Sequence, residues 1–578
     1  MKRRTFVKGL AASSFMAFTT TPITARTSRK KNLNQSKVLT GTEFFLDIGY
    51  TAVNLTGNPA VATTVNNQIS GPTLVWQEGE TVTLHVTNHL KKSSSIHWHG
   101  IILPNRMDGV PGLTYDGIAP GETFTYRFKV RQHGTYWYHS HSGFQEQTGV
   151  YGAIVIKPKK REPFAYDKEY VIQLSDWSDE KPTTVYRKLK QSSDYYATSR
   201  RTVGTFIDEV KKNGFSHAFD ARKMWNEMRM NDNDLSDVTG YRYTFLINGK
   251  NPATQFRALF KKGDKIRLRF INSSAMTFFD VRIPGLKMTV VAADGNHVKP
   301  VSVDEFRIGV AETYDVIVEP KHNQAYALFA QSIDRSGYAL GSLTPNNHTL
   351  AKAPRMDPVP KLTMLDMGMD MSGMDAKGGM KCSSSMKMPN KKAMKKYKWS
   401  AMEAQKYPIT KLPIKWGVQT TMKAMSPKYR LDDPGVGLRN NGRKVLTYAD
   451  LKNRYSTRRA KKPDREIILN LTGNMERYMW SINGISYADS KPLVFHYGER
   501  IRITFINNTM MNHPMHLHGL WSDLETGDDN HLVRKHTVIV QPGAKISYRV
   551  TVDAKGNWAY HCHMLYHMAG MFRKVVVV

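Results

Sequence analysis

The chain has 578 residues, too many for one hydrophobic core, so about three or four units are expected, and its 40% hydrophobic residues suffice to fold them. Lys+Arg at 83 against Asp+Glu at 49 give a formal net charge of +34. The basic residues are scattered and no nucleic-acid motif accompanies them, which excludes a nucleic-acid partner and leaves loose attraction to anionic envelope surfaces.

The first residues, Lys2-Arg3-Arg4-Thr5-Phe6-Val7-Lys8, precede a modestly apolar run from Gly9 to Phe18 and a small-residue end near Ala25. This reads as a twin-arginine export signal over residues 1–25 and places the mature protein in the periplasm. No later segment offers the roughly eighteen uninterrupted apolar residues of a membrane helix, so no transmembrane segment is expected in the mature chain.

One element then recurs three times: Gly79 to Asn88 (GETVTLHVTN), Gly263 to Asn272 (GDKIRLRFIN) and Gly498 to Asn507 (GERIRITFIN). Each is a turn followed by a strand, with apolar side chains alternating (Val82/Leu84/Val86, Ile266/Leu268/Phe270, Ile501/Ile503/Phe505), the period-two pattern of a half-buried strand. A second element links the chain ends. Gly121 leads to His139 and Gly543 to His561 at the same spacing, whereas the middle copy, Ala325-Tyr326-Ala327-Leu328-Phe329, carries no histidine.

The expected fold is therefore all-β, with three β-sandwich domains at residues 40–160, 165–355 and 405–578, the middle one binding no catalytic metal. Two stretches interrupt the pattern. Residues 185–235 are charged and read as a helical insertion, and residues 356–402 hold eleven methionines among Gly, Ser and Lys and read as a flexible linker.

Half of the 20 histidines fall in four clusters: His97-Trp98-His99, His139-Ser140-His141, His513-Pro514-Met515-His516-Leu517-His518 and His561-Cys562-His563-Met564-Leu565-Tyr566-His567. On a strand, residues i and i+2 share a face, so each His-x-His pair offers two imidazoles to one cavity. A single pair is weak evidence; four pairs, two near each end of the chain, predict a cluster that closes only when the end domains meet. Cys562 points to the opposite face and, with His513 and His567, forms the one-cysteine, two-histidine set of a blue type 1 copper. Cys562 is thus expected to remain a thiolate ligand rather than pair with Cys382, the other cysteine.

With these motifs, Met107-Asp108-Gly109-Val110-Pro111-Gly112, His133 to Tyr138 (HGTYWY), Phe278 to Met288 (FFDVRIPGLKM) and the methionine-rich segment, the sequence resembles the multicopper oxidases along nearly its whole length. It resembles most the bacterial periplasmic copper-resistance oxidases of the copper-resistance protein A type. The resemblance implies three cupredoxin-like Greek-key domains and four coppers per chain. It assigns His97 and His516 to a type 2 copper, and His99, His139, His141, His518, His561 and His563 to a type 3 pair. It makes Asp108 a carboxylate beside the type 2 copper and Met571 the axial type 1 ligand. Met571 follows His567 by four residues where the family has five; counting from Cys562 instead puts Phe572 in the axial place.

Met364, Met367, Met369, Met371, Met374, Met380, Met386 and Met388 offer soft thioethers suited to Cu(I), interleaved with polar residues and lacking a helical period. The expected activity is oxidation of Cu(I) to Cu(II) coupled to four-electron reduction of O2 to water, in copper resistance, with other periplasmic copper-resistance proteins as candidate partners. The alternatives are a laccase-like phenol oxidase, whose substrate pocket would lie in loops that sequence does not specify, and a nonenzymatic copper-sequestering protein. Four His-x-His motifs exceed what a copper nitrite reductase requires.

Overall fold

The computed structural model describes residues 37–198, 201–227, 230–369, 402–403, 405–458 and 460–578. The expected leader, Cys382 and Met371, Met374, Met380, Met386 and Met388 lie outside the described residues. No helix among the described residues is long and apolar enough to cross a membrane.

Among the described residues, six sheets form three pairs along the chain. Residues 38–157 build a five-stranded and a four-stranded sheet, residues 168–344 a six-stranded and a five-stranded sheet, and residues 409–577 an eight-stranded and a five-stranded sheet. The three repeated segments occupy equivalent inner positions in these sheets, as Thr81–Asn88, Ile266–Asn272 and Arg500–Asn507.

The half-buried pattern holds in the first copy, where Val82, Leu84 and Val86 are buried between more exposed threonines and His85. It fails in the second. Every residue of Ile266–Asn272 is buried because its polar face abuts other parts of the chain. Arg267 pairs with Asp315 (2.5 Å) and Glu162 (2.7 Å), and Arg269 with Glu169 (2.7 Å) and Thr135 of the preceding sandwich (2.8 Å). The third copy repeats the device, with Arg502 held by Glu466 (2.9 Å) and Glu525 (2.8 Å). Alternating arginines look like a solvated face in sequence, yet buried arginine is tolerated once its donors meet carboxylates.

The charged insertion forms helices Pro182–Gln191, Val203–Asn213 and Phe215–Glu227. The first starts with proline at its opening position, ends with Lys188 and Lys190 in its last turn, and buries Val185 and Leu189, one helical turn apart. The second begins with a Thr202–Thr205 capping box.

The start of the expected linker corrects the reading from composition. Residues 356–369 are packed: Asp357 pairs with Arg282 (3.0 Å) and Arg443, Asp366 pairs with Arg439 (2.5 Å), and Met367 is 0% exposed in the core with Met364 and Met369 against it. Methionines among Gly, Ser and Lys suggested a flexible linker, but its aspartates are anchored by arginines distant in sequence. The apolar core runs continuously through the second and third sandwiches, while the first has a largely separate one.

Candidate metal centre

The strand His97–His99 pairs antiparallel with Gly134–His139, placing His97 opposite His139. Trp98, on the other face, packs into the first core with Trp76 and Tyr138, leaving His97 and His99 to project from the sandwich. In the third sandwich His513–Leu517 pairs with Gly556–Cys562, setting His516 opposite His561 and Met515 opposite Cys562. Alternation along these strands separates two sets of side chains, one on each face.

On one face the eight histidines from both ends of the chain converge. The ligand atoms of His97, His99 and His516, of His97, His141 and His518, and of His99, His139 and His563 each lie within 4.8 Å of one another. His561 joins them through Nε2, 3.0 Å from that of His518, and the Nε2 atoms of His139 and His563 are 3.3 Å apart. On the opposite face Cys562 Sγ lies 3.5 Å from His513 Nδ1 and 3.8 Å from His567 Nδ1.

The remaining ring nitrogens are anchored, which fixes what each imidazole presents. His97 Nδ1 donates to the Asp108 carbonyl (2.8 Å) and His518 Nδ1 to Asp108 Oδ2 (2.9 Å), so one carboxylate, 1% exposed, spans the first and last sandwiches. His516 Nδ1 donates to the His536 carbonyl (2.6 Å), His561 Nδ1 to the Cys562 carbonyl (3.0 Å), and His139 Nδ1 to Glu146 Oε2 (2.7 Å). His99 differs: its Nε2 contacts His536 Nδ1 (3.1 Å) and Thr537 Oγ1 (3.2 Å), leaving Nδ1 toward the cluster. At the thiol site His513 Nε2 contacts Thr509 Oγ1 (2.7 Å) and His567 Nε2 donates to Asp237 Oδ2 (2.7 Å). Gly109 lets Asp108 approach: its φ is +83°, and a Cβ there would lie 1.8 Å from the Ile96 carbonyl oxygen.

The electrostatics favour a metal. Burial, reinforced by neighbouring imidazoles, lowers the pKa of His99, His139, His141, His516, His518 and His563 well below the usual histidine value, and burial brings His561 to about 4. These rings are neutral at pH 7, the form that binds metal. Four buried ring nitrogens at the cluster, His97 Nε2, His99 Nδ1, His141 Nε2 and His516 Nε2, have no hydrogen-bond partner. Such orphans are costly unless a ligand completes them. Burial pushes the Cys562 thiol far up, so its thiolate requires a cation beside it. One thiolate with two imidazoles fits a copper that cycles between Cu(I) and Cu(II), and the imidazole-only cluster fits further copper.

The register bears on the axial position. His561 pairs with Phe572, and the Phe572 ring stacks on the His561 imidazole at 5.5 Å, on the cluster face. Cys562 N donates to the Met571 carbonyl (3.0 Å), which puts the buried Met571 on the Cys562 face. Met571 thus lies on the Cys562 face and Phe572 on the cluster face.

Several residues at the site carried no signal in sequence. Glu146 follows His141 by five positions, and its other oxygen is 4.0 Å from His563 Nδ1. Asp237 ends the inserted segment and reaches His567 across 330 positions, also accepting from Tyr478 Oη (3.0 Å); burial pushes its carboxyl up to about 7 against the pull of that hydrogen bond. Trp480 stacks on His567 at 3.8 Å. Behind His536, Lys535 is 0% exposed between Asp294 (3.0 Å) and Glu312 (3.1 Å).

Multicopper oxidase family profiles match residues 47–161, 168–351 and 460–578. Copper resistance protein A of Escherichia coli is 54% identical over 605 residues, covering 100% of this chain and 99% of its own length. Multicopper oxidase MmcO of Mycobacterium tuberculosis is 32% identical over 522 residues, covering 89% of this chain and 83% of its own. Among solved structures, Fet3p, described as a multicopper oxidase that functions in iron import, superposes with a TM-score of 0.64 at 18% identity, covering 93% of this chain and 90% of its own. The laccase of Botrytis aclada gives 0.59 at 20%, covering 94% and 88%. At these identities the two structures share the three-sandwich fold.

Proposed function

The chain belongs to the multicopper oxidase family, and from that premise we propose that it oxidises Cu(I) to Cu(II) with O2 as acceptor, in copper resistance. Four Cu(I) ions each give up one electron, and one O2 takes those four electrons and four protons to become two waters. The observation that carries this reading is the position of Cys562: its thiol meets His513 and His567 on one face, while its chain neighbours His561 and His563 enter the eight-histidine cluster on the other. Peptide bonds thus link the two sites over the shortest possible covalent path.

In this reading His513, Cys562, His567 and Met571 would hold a type 1 copper, and His97 and His516 a type 2 copper. His99, His139 and His563 hold one member of the type 3 pair, and His141, His518 and His561 the other. Copper, when bound, would supply one-electron exchange, one electron at the thiolate site and three at the cluster, four in all. The protein does the rest. Asp237 fixes the His567 ring so that Nδ1 faces Cys562, and it places a carboxylate at the outer edge of that ring, where a metal-ion donor is attracted. Asp108 orients His97 and His518 and is the carboxylate we assign to bring protons to reduced oxygen. Glu146 orients His139.

Cu(I) is favoured over a phenol as donor because His567 is 0% exposed and its outer nitrogen is already taken by Asp237, leaving no free edge for an aromatic substrate to touch. The name of the Escherichia coli relative supports the same choice. Location in the periplasm by twin-arginine export, and Cu(I) collection by Met371, Met374, Met380, Met386 and Met388, belong to the same proposal; Met364, Met367 and Met369, packed in or against the core, take no part in it. The test is the absorption spectrum and oxygen uptake of copper-loaded protein given Cu(I), beside Cys562→Ser. A band at about 600 nm with uptake that vanishes in the variant supports the reading; bound copper with neither leaves a copper-sequestering protein.

A further inference from the structure

The second sandwich holds a small cavity, away from the histidine clusters, that no oxidase step uses. It has a volume of about 30 Å³ and lies between the segment that ends the helical insertion and the loop after Tyr326–Ser332. Asp334, Asp234, Asn233, Ser236, Thr239 and Asp194 are among the residues that line it, bringing carboxylate, amide and hydroxyl groups and neither sulfur nor imidazole.

Two of its lining oxygens have no hydrogen-bond partner. Asp334 is 6% exposed; its Oδ1 accepts only a long hydrogen bond from Ser336 N (3.4 Å), and its Oδ2 has no partner. Asn233 Oδ1 is likewise buried and unpartnered. Burial pushes the Asp234 carboxyl up to about 8, with Asp237 and Asp194 adding to the effect by repulsion. Nearby cations are committed elsewhere, Arg335 to Asp280 (2.7 Å) and Arg242 to Glu180 (2.8 Å). Buried carboxylates are normally paired or bound to a metal.

We infer that this cavity is a divalent-cation site, distinct from the copper sites and filled by a hard ion such as Ca2+ or Mn2+. Carboxylate, amide and hydroxyl oxygens without sulfur or imidazole select hard ions over Cu(I). The volume accommodates one ion with a water ligand and excludes an organic molecule. The ion would tie the insertion to the second sandwich immediately behind the segment that carries Asp237, and the inference stands whether or not Cu(I) is the electron donor.

The experiment is calorimetric titration of copper-loaded full chain with Mn2+ and, separately, Ca2+, together with thermal unfolding in each ion. One equivalent is expected to bind and to raise the unfolding midpoint, and Asp334→Asn and Asp234→Asn are each expected to weaken binding by about tenfold or more. The absorption band near Cys562 reports that each variant is folded, and Asp234→Asn, whose carboxylate makes no ion pair among the described residues, serves if Asp334→Asn does not fold. Absence of heat and of any midpoint shift at millimolar ion, or binding that survives both substitutions, overturns the inference.

Discussion

Replacing Asp237 tests how electrons reach the thiolate site. Its Oδ2 accepts from His567 Nε2 at 2.7 Å and from Tyr478 Oη at 3.0 Å, both donors being buried. In Asp237→Asn an acceptor oxygen remains but charge assistance is lost, at about 1 kcal/mol per bond. In Asp237→Ala both donors are stranded, at about 1–3 kcal/mol each. The Asn variant is therefore expected to fold with about 2 kcal/mol less stability and to keep its absorption band, because His567 Nδ1 still faces Cys562. Removing the carboxylate that orients the ring and attracts a cation is expected to lower kcat/KM for Cu(I) by about 10–100-fold. A large outer-sphere reductant, which needs no carboxylate, should lose less than about threefold. The assay is oxygen uptake with each donor on the same copper-loaded preparation. Equal losses with both donors, or no loss with Cu(I), would refute the reasoning.

Met571→Leu should keep the band near 600 nm and raise the reduction potential of the thiolate site by removing a sulfur on the Cys562 face, whereas Phe572→Leu should leave the potential unchanged; a potentiometric titration in which Phe572 matters more contradicts the strand register. Asp108→Ala frees His518 and removes the carboxylate beside His97, whose bond to the Asp108 carbonyl survives, and should lower oxygen-reduction turnover by about 10–100-fold while the thiolate band persists, read by uptake and spectrum on one sample. Lys535→Met leaves Asp294 and Glu312 buried without their cation and should cost about 3–5 kcal/mol in thermal or denaturant unfolding. Acid should weaken the packing of the first two sandwiches. Burial opposes ionisation of Glu162 and Glu169, but His297 and Arg267 on the first, and Arg269 and Lys157 on the second, outweigh it and hold both at about 2 against 4.5 unfolded. Their contribution is thus present above pH 4.5 and lost as pH falls toward 2, to be seen as a falling unfolding midpoint across that window.

The sequence was most legible where the chemistry is local. His97, His99, His139, His513, His516, His561 and Cys562 sit on strands whose two-residue period dictates their faces, and the other clustered histidines follow those strands directly or within one turn, so the separation of the thiolate site from the cluster followed from Cys562 lying between His561 and His563. Asp108 was visible only through the resemblance, and its double contact to His97 and His518 could not be read because those partners lie on different sandwiches. Asp237 and His536 were illegible for the same reason: each is a lone residue whose partner is fixed by how sandwiches pack, and nothing in the local pattern marks it. Arg267, Arg269 and Arg502 were misread as a solvent face because periodicity reports which side is apolar and is silent on whether the other side meets water or carboxylates. Residues 356–369 misled in the opposite direction, since methionines among Gly, Ser and Lys read as a flexible linker and nothing local marks the arginines that hold Asp357 and Asp366.

The contact from Asp108 to His518 spans 410 positions, and the cluster has no complete metal site within either end domain alone. Assembly of the centre is therefore a late event in the life of the chain. A nascent protein cannot capture the full complement of metal until its last strand is in place, so occupancy certifies that synthesis and docking are finished. Once captured, each metal acts on the fold by mass action, adding about 1.4 kcal/mol for every tenfold excess of free metal over its dissociation constant. The end domains are then fastened by the same ions they were folded to receive, and copper starvation should expose itself first as loosening between sandwiches rather than as unfolding of any one of them.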